Sequence, residues 1–314
     1  MFSVIIPLYN KAPYIQRALD SVLNQSFKDY EIIVVNDGST DGGEEIVSKV
    51  YGDKVKLIHQ NNQGVSAARN TGITVAHFDY IAFLDADDSW HPDYLLFVST
   101  VIKRNRDVGI IGCHYDPYQL EINPVLNYFS LDQYFKRAKR NVGFFTSATV
   151  IKKVFFDTNP GFDPQLKLGE DIDVWLRASL FFGDGIYIQN TLVFYGQEDD
   201  YRATQKNHHI ENSLIFKIIN PDYYSSAIKD SDCTESEFIN FRDAWVYMSL
   251  YQYYPLDSNL DSIQDMLKQM QSRYMLVRAC YQLPFFTLQW FFRNKNFSNL
   301  FRNYMKFCFR YIYR

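Results

Sequence analysis

Several features that would place this chain in a specialised class are scarce or missing from its 314 residues. It has only four cysteines, at positions 113, 233, 280 and 308, with no Cys-x-x-Cys pair and no dense spacing. A disulfide framework is therefore excluded, and we expect reduced thiols in a cytoplasmic protein. No apolar run reaches the roughly 18 residues needed to span a bilayer. No basic leader precedes the first apolar run, so we expect no signal peptide.

Acidic residues are missing from the C-terminal end of the chain. The whole sequence has 32 Lys or Arg and 36 Asp or Glu, a formal net charge of −4. Beyond Asp265 there are nine basic residues and no acidic one, which leaves 23 basic and 36 acidic residues, a net −13, in the part before. Such an asymmetry is typical of chains that meet a nucleic acid or a membrane surface.

Hydrophobic residues make up 47% of the chain, enough for a sizeable core. Short apolar runs alternate with helical patterns in the first part, and the runs are residues 4–6, 32–35, 55–58 and 81–84. This alternation predicts an α/β fold with a mostly parallel sheet flanked by helices, whose strand ends gather at one edge. Helical patterns alone follow. We therefore expect an α/β domain over 1–215 and a helical C-terminal region over 216–314.

The middle of the chain has a less regular pattern. We predict helices over 92–102 and from residue 169, and strands over 108–113, 142–151, 186–188 and 192–195.

The fourth apolar run ends in three carboxylates within four residues, Asp85, Asp87 and Asp88. Parallel sheets place their ligands at the carboxyl ends of strands, and like charges packed together favour a divalent cation as partner. The alternative is an acidic turn that opens the next helix, with Asp88 or Ser89 as its cap. These residues alone do not decide between the two interpretations.

Two more polar clusters follow predicted strands, at 7–11 and 37–41, and Arg69 lies in an alanine-rich helical segment after a turn at 61–64. Asp37 could accept hydrogen bonds from a nucleoside, and the Arg69 guanidinium could neutralise a phosphate. Their alternatives are an ordinary strand-to-helix turn and a structural salt bridge.

Four ordered segments, residues 3–10, 34–41, 62–72 and 83–88, together resemble the family 2 glycosyltransferases with the Rossmann-like GT-A fold. The resemblance implies an inverting, metal-assisted transferase that uses a nucleotide-sugar donor, with a UDP-sugar favoured by analogy. It also implies that Mn²⁺ or Mg²⁺ is held by Asp87, with Asp85 in support. The residues implied to line the donor site are Pro7, Tyr9, Asn10, Asp37, Gly64, Arg69, Asp85 and Ala86.

A later segment, residues 169–177, resembles the family's Glu-Asp motif at a helix start. The match implies that Asp171 is the general base, with Glu170 and Asp173 as secondary candidates. Acids in a first helical turn also complement the helix dipole without any catalytic role.

The resemblance also suggests a histidine ligand to the metal after the base helix. His208 or His209 would be that ligand, and Arg202 or Lys206 could touch the diphosphate. The alternative for this segment is an exposed polar loop.

The C-terminal tail has the pattern of a basic amphipathic helix. Its basic residues recur every four positions at 302, 306, 310 and 314, opposite the apolar residues 297, 300, 301, 304, 308 and 311. Residues 281–314 could contact the inner face of the plasma membrane, or the apolar stripe could pack on protein. The acidic main domain and the apolar stripe argue against nucleic acid as the partner.

We therefore predict transfer of a sugar to a hydroxyl of a polysaccharide or glycolipid acceptor in cell-envelope assembly. One alternative is a nucleotidyltransferase that makes nucleotide sugars, although the Gly-rich phosphate loop of such enzymes is missing after the first strand. The other is a non-catalytic nucleotide-sugar binder.

Overall fold

A computed structural model describes residues 1–139, 143–198, 208–270 and 273–313. The chain forms two compact units. The first comprises Met1–Asp132, Gly143–Pro164 and Asp173–Asp200, and the second comprises Gln133–Val142, Gln165–Ile172 and Tyr201–Arg314. The second unit thus draws on three stretches of chain, and the simple boundary after residue 215 stays a prediction.

The strands in the described ranges all belong to one sheet. They are β1 Phe2–Leu8, β2 Tyr30–Asn36, β3 Lys56–His59, β4 Tyr80–Phe83, β5 Ser89–Trp90, β6 Ile110–Asp116, β7 Tyr128–Ser130, β8 Thr149–Lys152 and β9 Ile186–Phe194. The order across the sheet is β3-β2-β1-β4-β8-β6-β9-β5, with β7 also paired to β9.

Helices connect these strands and form most of the second unit. They are α1 Ala12–Leu23, α2 Gly43–Tyr51, α3 Val65–Thr74, α4 Tyr94–Arg104, α5 Tyr134–Ala138, α6 Val154–Thr158, α7 Glu170–Phe182, α8 Leu214–Lys217, α9 Ser225–Lys229, α10 Glu235–Ser249, α11 Leu260–Gln269, α12 Met275–Cys280, α13 Phe285–Arg293 and α14 Lys295–Phe307. A π-helical turn, Cys308–Ile312, continues α14.

The predicted α/β fold is confirmed, and its sheet adds antiparallel pairs to a parallel part. Strands β3, β2, β1 and β4 are parallel neighbours, as their short crossovers through α1, α2 and α3 require. Beyond β4 the direction changes, because β8 runs antiparallel to both β4 and β6. The β6–β9 pair is parallel, and β5 and β7 are antiparallel to β9.

Three local predictions from the sequence need correction. The strand expected over 142–151 begins only at Thr149, after a 3₁₀ turn at Thr146–Ala148. The two strands expected near residue 190 are one continuous strand, β9. Asp88 and Ser89 do not cap a helix, because Ser89 opens β5 and α4 begins only after Asp93.

The core of the first unit lies against the parallel part of the sheet. Val4, Ile5 and Ile6 of β1 are fully buried, since helices cover both faces of a parallel strand. Helix α1 buries its apolar stripe, Ile15, Ala18, Leu19 and Val22, in the same cluster. Burial on both faces holds β1 and its neighbours rigidly, and with them the loops that follow.

Aromatic rings form the core of the second unit. Phe301 of α14 packs edge-on against Phe292, with ring centroids 4.9 Å apart, and against Tyr281 at 5.5 Å. Met305, Cys308 and Phe309 of the tail are buried on the same side. One face of the tail therefore packs on protein, which is the alternative that the amphipathic pattern left open.

Part of the apolar stripe nevertheless stays exposed. Leu300 is 63% exposed and Tyr311 is 57% exposed. Phe307, which is not part of the stripe, is 52% exposed. Among the described residues no helix is both long enough and apolar enough to cross a membrane.

Candidate active site

Three polar loops meet at the carboxyl ends of adjacent strands in the first unit. Leu8 of β1 is in register with Asn36 of β2, and Ile5 of β1 is in register with Phe83 of β4. The segments 9–11, 37–41 and 85–88, which follow these strands, therefore share one edge of the sheet. This is the edge at which open α/β sheets bind ligands.

The first two loops are joined by hydrogen bonds of Asn10. Its side-chain Oδ1 accepts from the backbone N–H of Thr40 at 2.8 Å, and its own N–H donates to Ser39 Oγ at 3.2 Å. Asn10 has a φ of 50°, which an asparagine tolerates better than most residues. Asn10 is thus a structural tie in this loop.

Tyr9 and Pro7 flank that tie on the β1 side. Tyr9 is 48% exposed, so its ring remains accessible beside the loops. Pro7 lies within β1, in register with Val35, and does not end the strand as its sequence position suggested. Both residues stay predictions as donor contacts.

Asp37 is buried and holds the loop before α3. Its Oδ1 accepts from Gln60 Nε2 at 2.7 Å and from the N–H of Gln63 at 2.9 Å, and its Oδ2 accepts from the N–H of Gly64 at 2.8 Å. Gly64 has a φ of +91°, a conformation that favours glycine. A carboxylate has about four acceptor positions, and the chain itself uses three of those of Asp37.

Arg69 is paired with Asp85 across the site. Its Nη2 donates to Asp85 Oδ1 at 2.9 Å, and the guanidinium lies 5.1 Å from the ring centroid of Phe162. The Arg69 side chain is only 4% exposed. The structural salt bridge that the sequence offered as an alternative therefore exists, and Arg69 orients Asp85.

Asp87 forms an ion pair with the side chain of Lys11. Lys11 Nζ lies 2.5 Å from Asp87 Oδ2, and both side chains are at least four-fifths buried. Burial raises the pKa of Asp87, the nearby Asp85 carboxylate raises it further, and the Lys11 ammonium opposes both effects. Arg17 Nη2 also donates to the Asp87 carbonyl oxygen at 2.6 Å and so holds its backbone.

Asp88 anchors the acidic turn from beneath. Its Oδ2 accepts from Ser147 Oγ at 2.5 Å and its Oδ1 from the N–H of Gly196 at 2.8 Å. Burial, with the Asp85 charge second, raises the pKa of Asp88 well above its usual range. Ser147 Oγ in turn accepts from the Asp85 N–H at 3.0 Å. Asp88 is therefore a structural residue that sets the shape of the turn.

Glycine at position 196 is required by the closeness of this packing. A Cβ there would lie 2.1 Å from the Asp87 carbonyl oxygen. The neighbouring Glu198 makes a two-point contact with Arg17, at 3.0 and 2.8 Å. The segment after β9 is thus fastened to the acidic turn.

The sequence alone did not indicate a place at the site for Lys11, Arg17, Ser147, Gly196 or Glu198. Lys11 had a signal, since it directly follows the Tyr9-Asn10 pair. The others had none, because Ser147 and Gly196 come from segments predicted only as a strand and its exit.

The acidic turn supplies carboxylate oxygens, the type of ligand that Mg²⁺ and Mn²⁺ prefer. No three His, Cys, Asp or Glu side chains come together as metal ligands in the part of the chain that the structure describes. The protein would thus supply one or two carboxylates, and phosphate oxygens and water would complete the shell, as is usual for Mg²⁺ at nucleotide sites. Asp85 and Asp87 supply carboxylate oxygens of this kind, so the residues fit the implied metal by the chemistry of their donor atoms.

The predicted base lies in the second unit. Asp171 and Glu170 occupy the first turn of α7, and Asp171 Oδ1 accepts from the N–H of Ile172 at 2.7 Å. Asp173 is buried and paired with Arg177 at 2.7 Å, and its role as a base stays a prediction. The role of Asp171 stays a prediction.

The remaining candidates are the histidines and the basic residues before them. His209 Nδ1 lies 3.2 Å from Ser258 Oγ, and the His208 carbonyl accepts from Asn259 Nδ2 at 3.2 Å. A metal role for either histidine stays a prediction. Arg202 and Lys206 lie outside the described residues.

Comparisons with known proteins show the family of this chain. The sequence model described as glycosyl transferase family 2 matches residues 3–155. An uncharacterized glycosyltransferase of Rickettsia typhi is 31% identical over 224 residues, 65% of this chain and 70% of the relative. EpsJ of Bacillus subtilis, described in the same words, is 30% identical over 247 residues, 72% of this chain and 71% of EpsJ.

Two solved structures share the fold at low sequence identity. S. aureus TarS 1–349, in complex with UDP-GlcNAc, has a TM-score of 0.68 at 18% identity and covers 98% of this chain and 91% of its own. The mannosyltransferase PcManGT of Pyrobaculum calidifontis, in complex with GDP-Man and Mn²⁺, has a TM-score of 0.58 at 18% identity, with 97% and 84% covered.

Proposed function

The chain belongs to glycosyl transferase family 2, and on that premise we propose that it moves a sugar from a UDP-sugar to a hydroxyl group with inversion at the anomeric carbon. The observation that carries this proposal is the carboxylate pair Asp85 and Asp87, placed at the end of β4 beside the loops that follow β1 and β2. The solved structures of TarS with UDP-GlcNAc and of PcManGT with GDP-Man support a nucleotide-sugar donor.

Asp87 is the residue that we propose for the metal, Mn²⁺ or Mg²⁺, and Asp85 supports it. When bound, such a cation neutralises the negative charge that grows on the departing diphosphate. Asp88, through Ser147 and Gly196, keeps the turn in place, and Arg69 orients the Asp85 carboxylate. These fixed contacts would spare the site from reorganising during the reaction.

The nucleoside would lie over the loops that follow β1 and β2. Tyr9 offers an accessible ring, and Asp37 keeps one acceptor position beyond the three that the chain itself uses. Pro7, Gly64 and Ala86 would contribute backbone contacts at the same edge. A base or ribose supplies the N–H and O–H donors that a carboxylate accepts.

Inversion needs a base for the acceptor hydroxyl. We propose that a carboxylate oxygen of Asp171 takes the proton of the acceptor hydroxyl. At the same time the acceptor oxygen attacks the anomeric carbon, and the bond from that carbon to the diphosphate breaks. Support comes from the sequence match of 169–177 to the family's motif and from the place of Asp171 in the first helical turn. An acidic side chain at that place complements the positive end of the helix dipole.

The acceptor is proposed to be a polysaccharide or glycolipid at the inner face of the plasma membrane. The exposed part of the C-terminal segment supports this, since it combines basic residues with bare apolar side chains. The apolar residues more than half exposed are Leu283, Phe286, Trp290, Leu300, Phe307 and Tyr311. Aromatic and basic groups on one amphipathic surface are typical of interfacial membrane contact.

Thermal unfolding with a panel of nucleotide sugars tests the donor and metal together. We expect a UDP-sugar to raise the melting temperature in the presence of Mn²⁺, and to have little effect on Asp87→Asn, because bound ligand stabilises only a competent site. Asp53→Asn, a change at an exposed residue of the first unit, is the matched control. If no nucleotide sugar stabilised the wild-type protein with Mn²⁺, the donor assignment would fail.

A further inference from the structure

Three aromatic rings of the first unit lie together near the acidic turn. The Tyr115 ring stacks on the Phe145 ring, with centroids 4.3 Å apart and an angle of 27° between the two planes. The Tyr195 ring meets both of them edge-on, 5.0 Å from Phe145 and 6.0 Å from Tyr115. We call these three residues the aromatic shelf. Tyr115 is 39% exposed, so part of the shelf faces solvent.

The directions of the strands place the aromatic shelf at the same edge of the sheet as the acidic turn. Strand β8 is antiparallel to both β4 and β6, so β4 and β6 point the same way, and β9 is parallel to β6. Tyr115 lies at the carboxyl end of β6, Tyr195 directly follows β9, and Phe145 precedes the amino end of β8. All three positions therefore belong to the edge at which Asp85 follows β4.

Two of the shelf residues come from segments that bond to the acidic turn. Gly196, next to Tyr195, donates its N–H to Asp88 Oδ1 at 2.8 Å. Ser147, two residues after Phe145, donates its hydroxyl to Asp88 Oδ2 at 2.5 Å. The sheet order places β1 and β2 on one side of β4, and β8, β6 and β9 on the other. The aromatic shelf is thus joined to the turn on the side away from the loops proposed for the nucleoside.

This position suits the acceptor of the proposed reaction. Inversion requires the acceptor oxygen to approach the anomeric carbon from the side opposite to the departing diphosphate. With the nucleoside over the loops after β1 and β2, the open approach is from the side of β8 and β6. Neighbouring strands lie about 4.8 Å apart, so β6 is roughly 10 Å from β4. A ligand on the aromatic shelf is therefore within reach of a donor sugar bound at the turn.

The side chains of this region match the chemistry of a sugar ring. A pyranose ring presents C–H groups on a face and hydroxyl groups around its rim. The C–H groups are attracted to the negative face of an aromatic ring, whereas the hydroxyl groups need polar partners. His114 supplies such a partner, since its ring lies 6.3 Å from that of Tyr115 at an angle of 29° and its Nδ1 lies 3.2 Å from Thr191 Oγ1.

We propose that the aromatic shelf is the subsite that receives a pyranose ring of the acceptor. This inference rests on the proposed function and deepens it, since it names the part of the acceptor that the protein recognises. The shelf binds and orients the acceptor and takes no part in the transfer of its proton.

Saturation-transfer difference NMR on the full chain, with saturating UDP and Mn²⁺, tests the subsite. The probes are the methyl β-pyranosides of glucose, galactose and N-acetylglucosamine, each titrated to give a dissociation constant. We expect wild type to bind at least one of them, with the strongest saturation transfer at the C–H groups of one ring face. Tyr115→Ala should weaken that binding about tenfold, because the stacked ring is lost.

Two further variants complete the experiment. Tyr115→Phe keeps the ring and should bind the glycoside within about twofold of wild type. Tyr118→Ala removes an equal side chain outside the shelf, at a tyrosine that is 86% exposed, and should bind as wild type does. UDP is titrated into each variant by calorimetry. Its affinity should stay at the wild-type value, whereas a general disturbance of the fold would lower it as well.

The outcomes separate this inference from the proposed function. If wild type binds UDP but none of the glycosides, or if Tyr115→Ala binds them as tightly as wild type, the shelf is not the acceptor subsite and the transferase proposal stands. If Tyr115→Ala weakens binding of UDP-GlcNAc but not of UDP, the shelf holds the donor sugar and this inference is wrong. If wild type binds no UDP, both fail. A selective loss of glycoside binding that Tyr115→Phe restores supports the subsite.

Discussion

The two units of this protein place their charges in opposite ways. In the first unit the charged side chains of the site are buried: Asp37 is 2% exposed, Arg69 3% and Asp88 1%. Each of them also forms hydrogen bonds within the protein. In the C-terminal part of the second unit the charges are of one sign and face solvent beside exposed aromatic rings. Buried, paired charge sets geometry, whereas unbalanced surface charge attracts a partner.

The largest expected effect comes from the acidic turn of the first unit. Asp87→Asn should lower sugar transfer about a thousandfold or more while the fold persists, because the cation contributes several kcal/mol of transition-state stabilisation. Initial rates with excess Mn²⁺ and a circular dichroism melt measure both properties. The Asp53→Asn control should keep full activity. Metal-dependent turnover at the wild-type rate in Asp87→Asn would remove Asp87 from the metal site.

The next effect concerns the predicted base. Asp171→Asn should reduce transfer at least about a hundredfold, because an amide cannot take the acceptor proton. Glu170→Gln, in the same helical turn, is the matched control and should cost less than about tenfold. The rate is followed across a range of pH. If Asp171→Asn remained near normal at every pH, or if Glu170→Gln had the larger effect, the base would have to be reassigned.

The basic surface residues of the second unit should determine how strongly the protein binds to anionic membranes. Changing Arg302, Lys306 and Arg310 together to glutamine should weaken sedimentation with anionic vesicles about a hundredfold, since each basic residue near such a surface contributes about 1 kcal/mol. Neutral phosphatidylcholine vesicles should bind wild type weakly, and added salt should weaken its binding to anionic vesicles.

The matched control for this triple variant changes Lys28, Lys54 and Lys103, exposed lysines of the first unit, to glutamine. Equal loss in both triple variants would show a non-specific charge effect, and no loss in the tail variant would exclude the membrane contact through these residues.

The smallest effect is a pH dependence of stability from Asp88. Because burial raises its pKa in the folded protein, the folded state binds the proton more tightly than the unfolded chain does. As the pH rises, the Asp88 carboxyl loses its proton, and the free energy of unfolding of the wild-type protein falls. The amide of Asp88→Asn has no such proton, so the variant does not lose this stability. The melting temperature of Asp88→Asn relative to wild type should rise by a few degrees between about pH 5 and pH 8. A difference that stayed constant or shrank would contradict this assignment.

The sequence predicted where the site residues lie but not which partners they have. The strand-end placement of Asp37, Asp85 and Asp87 could be predicted, because each lies within three residues of the end of an apolar run. An internal ion pair could be offered only as an alternative and without its partner, as for Arg69. Ser147 could not be found, because its hydroxyl meets Asp88 from 59 residues away.

The tail shows the same limit on a helix. The sequence predicted the amphipathic pattern of α14, but it grouped Leu300 and Tyr311 with the buried Phe301 and Cys308. The sequence period shows which residues of α14 share a face. How much of that face is buried depends on the aromatic rings that pack against it. The π-helical turn at the end also shifts the last side chains from the 3.6-residue period.

The sequence by itself determined the alternation of strands and helices, the family and the acidic edge of the sheet, because each rests on a local pattern of apolar and polar residues. Only the tertiary structure decided which partner each charged group has. Lys11 meets Asp87 across 76 residues and Gly196 meets Asp88 across 108. A carboxylate takes the donor that folding brings beside it, and that choice follows from the packing of distant segments, which no local pattern records.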